Sequence, residues 1–137
     1  MTMSSSHEPE LQTDPRLQGV LQDLMDLEPV FHHPEPGATR RKWEMMMDKE
    51  FWETGASGRR YGKAYVLDVL EDRKEHQVSG PLEATDAWCR DVGPDTYLLT
   101  YTLRQGNRVT RRASLWRNTS GRWTILYHQG TVVEGTG

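Results

Sequence analysis

Cysteine is almost missing from this chain. Cys89 is the single one in 137 residues, so no intrachain disulfide can form. A reducing, cytoplasmic setting is therefore expected, with Cys89 serving as a small buried hydrophobe in a strand. Long apolar runs are missing too. No stretch approaches the roughly 20 residues of a membrane-crossing helix, and the polar start Met1 to His7 lacks the hydrophobic region of a signal peptide. There is no basic excess either: 17 Lys and Arg face 20 Asp and Glu, a net charge of −3, which argues against a nucleic-acid partner. The glycines of Gly55-Ala56-Ser57-Gly58 are not followed by the Lys-Ser/Thr of a phosphate loop. His32, His33 and Glu35 do not have the spacing of a zinc site, and histidines near a helix C-terminus are favoured by the dipole. No metal and no cofactor are expected.

What is present suits one domain with one core. Residues 1–14 are polar and aperiodic and read as a disordered tail, leaving 15–137 as the domain. Leu17, Val20, Leu21, Leu24 and Leu27 recur at helical spacing, with Asp14 as cap and Pro15 in the first turn. That helix is expected to reach about Phe31 unless Pro29 ends it early. Thr39 caps a short second helix carrying Trp43, Met46 and Met47, the Met45-Met46-Met47 run being core filler. Phe51 to Thr54 reads as a short strand, and Lys63 to about Arg73 as a third helix burying Val66, Val69 and Leu70.

Gly80-Pro81 opens a strand region of roughly 82–91, 96–104, 108–117 and 122–133. The links Gly93-Pro94-Asp95, Gln105-Gly106-Asn107 and Asn118 to Gly121 are short and contain glycine, as antiparallel hairpins require. Helices segregated from antiparallel strands define an α+β fold. The strands carry apolar residues on both faces, with Trp123, Ile125 and Tyr127 on one side and Leu126 on the other. Three helices cover one face of a sheet, so a partner subunit is expected on the second.

Three local patterns then resemble the NTF2-like superfamily, in particular the bacterial SnoaL-like and DUF4440 group. They are Leu27 to Glu35, Phe51 to Tyr61, and Ser114-Leu115-Trp116-Arg117 followed by Gly121-Arg122-Trp123 and Tyr127-His128-Gln129-Gly130-Thr131. The resemblance implies a cone: a strongly curved antiparallel sheet wrapped on three N-terminal helices, open at one end as a pocket. It also implies a homodimer formed through the sheet. Some members are isomerases, cyclases or hydrolases and others bind small molecules or proteins, so fold does not give function.

His128, at the end of the last strand, is a candidate acid or base at neutral pH, or else a histidine that fixes the sheet end. Glu53 shares a strand face with Phe51, which makes it either a carboxylate raised by an apolar site or a partner of Arg59 or Arg40 in an ion pair. Tyr101, Trp116, Trp123, His128 and Gln129 are expected to line or rim the pocket. Arg104, Arg108, Arg111, Arg112, Arg117 and Arg122 are either a solvated edge or an anion site. Three readings stand: a protein that binds a small apolar ligand, an acid–base enzyme using Glu53 and His128, and an interaction module.

Overall fold

In the computed structural model, which describes residues 7–76 and 82–134, Asp14 accepts a hydrogen bond from the Arg16 amide at 3.0 Å and opens a 3-10 turn over Pro15–Leu17. Helix α1 follows over Gln18–Leu27, and a second 3-10 turn spans Glu28–Phe31. Pro29 is the reason α1 stops, because it has no amide proton for the next helical bond. Thr39 Oγ1 accepts from the Lys42 amide at 3.2 Å and caps α2, Arg40–Met46. Strand β1 is Met47–Thr54, longer than the four residues expected, and a short β2, Arg60–Gly62, returns beside it. The methionine run is split between two elements: Met45 is 51 % exposed on α2 and Met47 is buried on β1.

Helix α3, Lys63–Glu75, buries Val66, Leu67 and Leu70. Its last turn reaches back to the loop after α1: Arg73 Nη1 donates to the Phe31 carbonyl and Lys74 Nζ to the Ala38 carbonyl, each at 2.5 Å. Strands β3 (Leu82–Gly93), β4 (Thr96–Gln105), β5 (Arg108–Thr119) and β6 (Arg122–Val132) form the expected antiparallel meander. The last hairpin shows its turn chemistry directly: Ser120 and Gly121 take φ of 52° and 84°, and Asn118 Oδ1 accepts from the Gly121 amide at 2.8 Å. β1 adds to β6 in parallel, giving one sheet in the order β2-β1-β6-β5-β4-β3.

A bulge sets which side chains meet. Leu115 pairs with Tyr127 and Trp116 with Ile125, so Leu126 has no partner across the ladder. Plain alternation would place Trp123, Ile125 and Tyr127 together. The extra residue instead puts Ile125 and His128 on the helix-covered face and turns Tyr127 and Gln129 outward. The core lies on that inner face, where Leu24, Phe31, Trp43 and Leu70 meet Leu99, Trp116 and Ile125.

Of the stretch expected to be a tail, residues 8–13 hold hydrogen bonds to the sheet. Trp88 Nε1 donates to the Gln12 carbonyl at 3.0 Å, the Cys89 amide to Thr13 Oγ1 at 3.3 Å and Arg111 Nη2 to Glu8 at 2.9 Å. Residues 1–6 of that stretch, and the Gly80-Pro81 opening, lie outside the described residues. Among the described residues, no helix is long and apolar enough to cross a membrane.

Candidate functional site

The 3-10 turn that follows Leu27 points Glu28 into the cone, where it is 1 % exposed. Its carboxylate accepts three hydrogen bonds: Tyr101 O–H at 2.6 Å and Ser114 O–H at 3.1 Å to Oε1, and Trp116 Nε1–H at 2.7 Å to Oε2. Two imidazoles stand behind the hydroxyls. His32 Nε2 lies 2.6 Å from Tyr101 Oη, and His128 Nδ1 lies 2.7 Å from Ser114 Oγ. Both hydroxyl protons go to Glu28, so each oxygen accepts from its imidazole, which places the ring protons on Nε2 of His32 and Nδ1 of His128. The other nitrogen of His128 then accepts from Arg112 Nη1 at 3.5 Å. Six side chains thus form one chain of donors: Arg112 to His128 to Ser114 to Glu28, and His32 to Tyr101 to the same carboxylate.

Arg112 is held by Thr110 Oγ1, 2.9 Å from its Nε, and by the lack of a side chain at Gly130, where a Cβ would stand 2.6 Å from Nη1. The electrostatics follow from burial. Burial raises the Glu28 carboxyl more than the hydrogen bonds from Tyr101, Trp116 and Ser114 lower it. Burial lowers His128 to about 3, with Arg112 and Arg73 adding to the effect, and holds His32 well below its ordinary value. Both rings are neutral at pH 7. Burial, followed by the neighbouring Glu28 charge, keeps the Tyr101 phenol protonated.

Phe31 closes this cluster on one side. Its ring stacks on His128 at 6.3 Å between centroids and tilts against Trp116 at 6.2 Å. Phe31 also lines a cavity of about 180 Å³ between α3 and β1, together with Glu53, Tyr61, Tyr65, Val66, Val69, Leu70 and Arg73. Tyr61 and Tyr65 stack there at 4.7 Å. Burial raises the Glu53 carboxyl, against the pull of Arg73 and Arg112. The ion pair considered for Glu53 with Arg40 does not form: Arg40 Nη1 binds Asp68 at 2.8 Å and Glu71 at 2.6 Å.

The structure therefore divides the predicted residues. Tyr101, Trp116 and His128 come together around Glu28, behind Phe31. Glu53 stands in the cavity itself. Trp123 packs edge-on to Tyr97 at 5.5 Å, away from both. Gln129 is on the outer face, where it accepts from Tyr127 O–H at 2.7 Å and borders a surface groove of about 810 Å³ beneath residues 8–12. Sequence reasoning passed over Glu28 and His32 as site residues. The signal available was an acidic residue placed directly before a helix-ending proline, where an apolar stripe turns inward.

No protein-family model matches the sequence, and no curated protein matches it. Solved structures do match its fold. One is an NTF2-like protein from Cytophaga hutchinsonii, with TM-score 0.65 and 13% identity over 88% of this chain and 100% of that one. A second is an uncharacterised protein of cystatin-like fold from Caulobacter vibrioides, with TM-score 0.67 and 12% identity over 88% and 92%. A third is a candidate calcium/calmodulin-dependent kinase II association domain from Exiguobacterium sibiricum, with TM-score 0.56 and 17% identity over 92% and 98%. The chain has the NTF2-like, cystatin-like fold.

Proposed function

We propose that this is a small-molecule-binding protein whose ligand occupies the cavity between α3 and β1. The observation that carries the reading is the composition of that cavity: aromatic and aliphatic walls with one carboxylate, Glu53, and one guanidinium, Arg73. Such a site favours a compact, flat, apolar molecule with one or two polar atoms, its body against Tyr61 and Tyr65 and its polar end at Glu53. A ligand screen read by tryptophan fluorescence tests this, since Trp116 stands directly behind Phe31. Hits should lose affinity in Val69→Phe, which fills the cavity. A broad screen without a hit, or hits indifferent to Val69→Phe, sinks the reading.

A second reading is favoured by the raised Glu53 carboxyl, which suits a general base in acid–base chemistry. In that case Glu53→Gln removes turnover and retains binding. His128 is not the partner base in this reading, because its ring is buried behind Phe31 and bonded to Ser114.

We further propose a cytoplasmic homodimer formed through the outer sheet face. Trp52, 42 % exposed, and Tyr127 stack edge to face there at 4.7 Å, beside the half-buried Leu98 and Leu115. The likeness to a candidate association domain supports an assembling role for the fold.

A further inference from the structure

We propose that Glu28, His32 and His128 form a binding site for a divalent transition metal ion of the zinc or ferrous type. One carboxylate oxygen and one nitrogen of each imidazole converge so that all three atoms lie within 4.8 Å of one another. The Glu28 Oε1 to His128 Nδ1 distance is 3.7 Å, close to the ~3.3 Å between two ligands on one tetrahedral zinc. The other separations, none above 4.8 Å, close to that spacing if His32 moves inward by up to roughly 1.5 Å.

Three features suit the site to a cation. First, among the described residues no Lys or Arg nitrogen lies within 4 Å of the Glu28 carboxylate, so this buried acid has no permanent positive partner. A carboxylate taken out of water needs one, or else it holds a proton instead. Second, Trp116 ties down Oε2, the arrangement by which an outer partner orients a metal-binding carboxylate, while Oε1 is linked to each imidazole through one hydroxyl, Tyr101 or Ser114. Third, two neutral imidazoles and one carboxylate, without a thiolate, match zinc and ferrous iron. Magnesium and calcium take oxygen ligands instead. Tyr101 and Ser114 hydroxyls, now bridging the three ligands, would turn to the metal's open side or support Glu28.

Arg112 opposes the ion. A metal on Nδ1 of His128 moves the ring proton to Nε2, where it meets the guanidinium 3.5 Å away. Arg112 must then turn aside, so the site is coupled to this one side chain. This site lies behind Phe31 and does not depend on a ligand in the Glu53 cavity.

The test titrates full-length protein, stripped with EDTA, with Zn2+ alone by calorimetry and with Co2+ alone by visible absorption. The expected result is one ion per chain with ligand-field bands from Co2+. His32→Ala and Glu28→Gln should each weaken binding at least about tenfold, while Arg112→Met should tighten it. The surface triple variant His7→Ala, His33→Ala, His76→Ala should bind as the parent does. If Glu28→Gln fails to fold, His32→Ala decides. No uptake by folded parent protein overturns the proposal. So does undiminished uptake in folded His32→Ala, loss of uptake in the surface variant, or weaker binding in Arg112→Met.

Discussion

Glu53 and His128 are direct partners in the parallel β1–β6 ladder, and their side chains still serve different chambers. Glu53 reaches the cavity beneath α3, while His128 turns to Ser114, 2.7 Å away, in the cluster around Glu28. Phe31 belongs to both chambers: its ring stacks on His128 and also lines the cavity that holds Glu53. The pair expected to work together is thus divided between cavity and cluster, and the cluster centres on Glu28, which accepts three buried hydrogen bonds.

Glu28 should matter most for stability. Glu28→Ala leaves the Tyr101 and Ser114 hydroxyls and the Trp116 N–H without their acceptor in a dry interior. Each orphaned group costs ~1–3 kcal/mol, so a loss of about 3 kcal/mol or more is expected in a urea titration. A loss under about 1 kcal/mol would show that the hydrogen bonds to Glu28 contribute little.

His128 predicts a pH dependence in metal-free protein. Its pKa in the fold is about 3, against 6.5 in an unfolded chain. Between these values the unfolded chain takes up a proton that the folded one refuses. The contribution is therefore fully present above pH 6.5 and is lost as the pH falls toward 3, at up to about 1.4 kcal/mol per pH unit. His32 adds in the same direction, whereas the raised Glu28 and Glu53 carboxyls oppose it above pH 4.5, where the folded state holds a proton that the unfolded chain has lost. The measurement is the difference between parent and His128→Gln in denaturant titrations across this range, with EDTA present. The variant should have the flatter profile, and parallel profiles would contradict a neutral buried His128.

The two tryptophans of the last hairpin should differ. Trp116 is wholly buried, and Trp116→Ala should cost ~3–5 kcal/mol. Trp123 is only partly buried against Tyr97, and Trp123→Ala should cost ~1–2 kcal/mol. The reverse order in urea titrations would mean that Leu126 does not bulge as described.

The outer face should hold the dimer. Sedimentation of the parent at micromolar concentration should give twice the chain mass, and Tyr127→Lys should shift it toward monomer by placing a charge among Trp52 and Leu115. A parent that sediments as a monomer ends the dimer reading.

The elements that could be read along the chain are those whose cause is local. Alternation and Gly- or Asn-containing turns place β3 to β6 within two residues, because a turn such as Asn118 to Gly121 stores its own φ values and its own cap. Helical spacing, Asp14, Thr39 and Pro29 likewise mark the helix ends, because capping and the missing proline amide act within one turn. Two apolar sheet faces and the α+β order are visible for the same reason.

What lay beyond the sequence depends on groups far apart in it. The bulge at Leu126 inverts the strand's face midway, and alternation contains no sign of it, since it is set by how β6 fits β5. The parallel pairing that brings Glu53 beside His128 joins residues far apart in the chain, with β2, α3 and β3 to β5 between them. Glu28 is an ordinary helix-end acid until Tyr101, Ser114 and Trp116 arrive from β4 and β5 to bond it. Burial is a property of the assembled core, and the same burial makes Glu28 and His128 unusual. Their chemistry is therefore decided by packing, whereas the helices and hairpins around them are decided by neighbours in the chain.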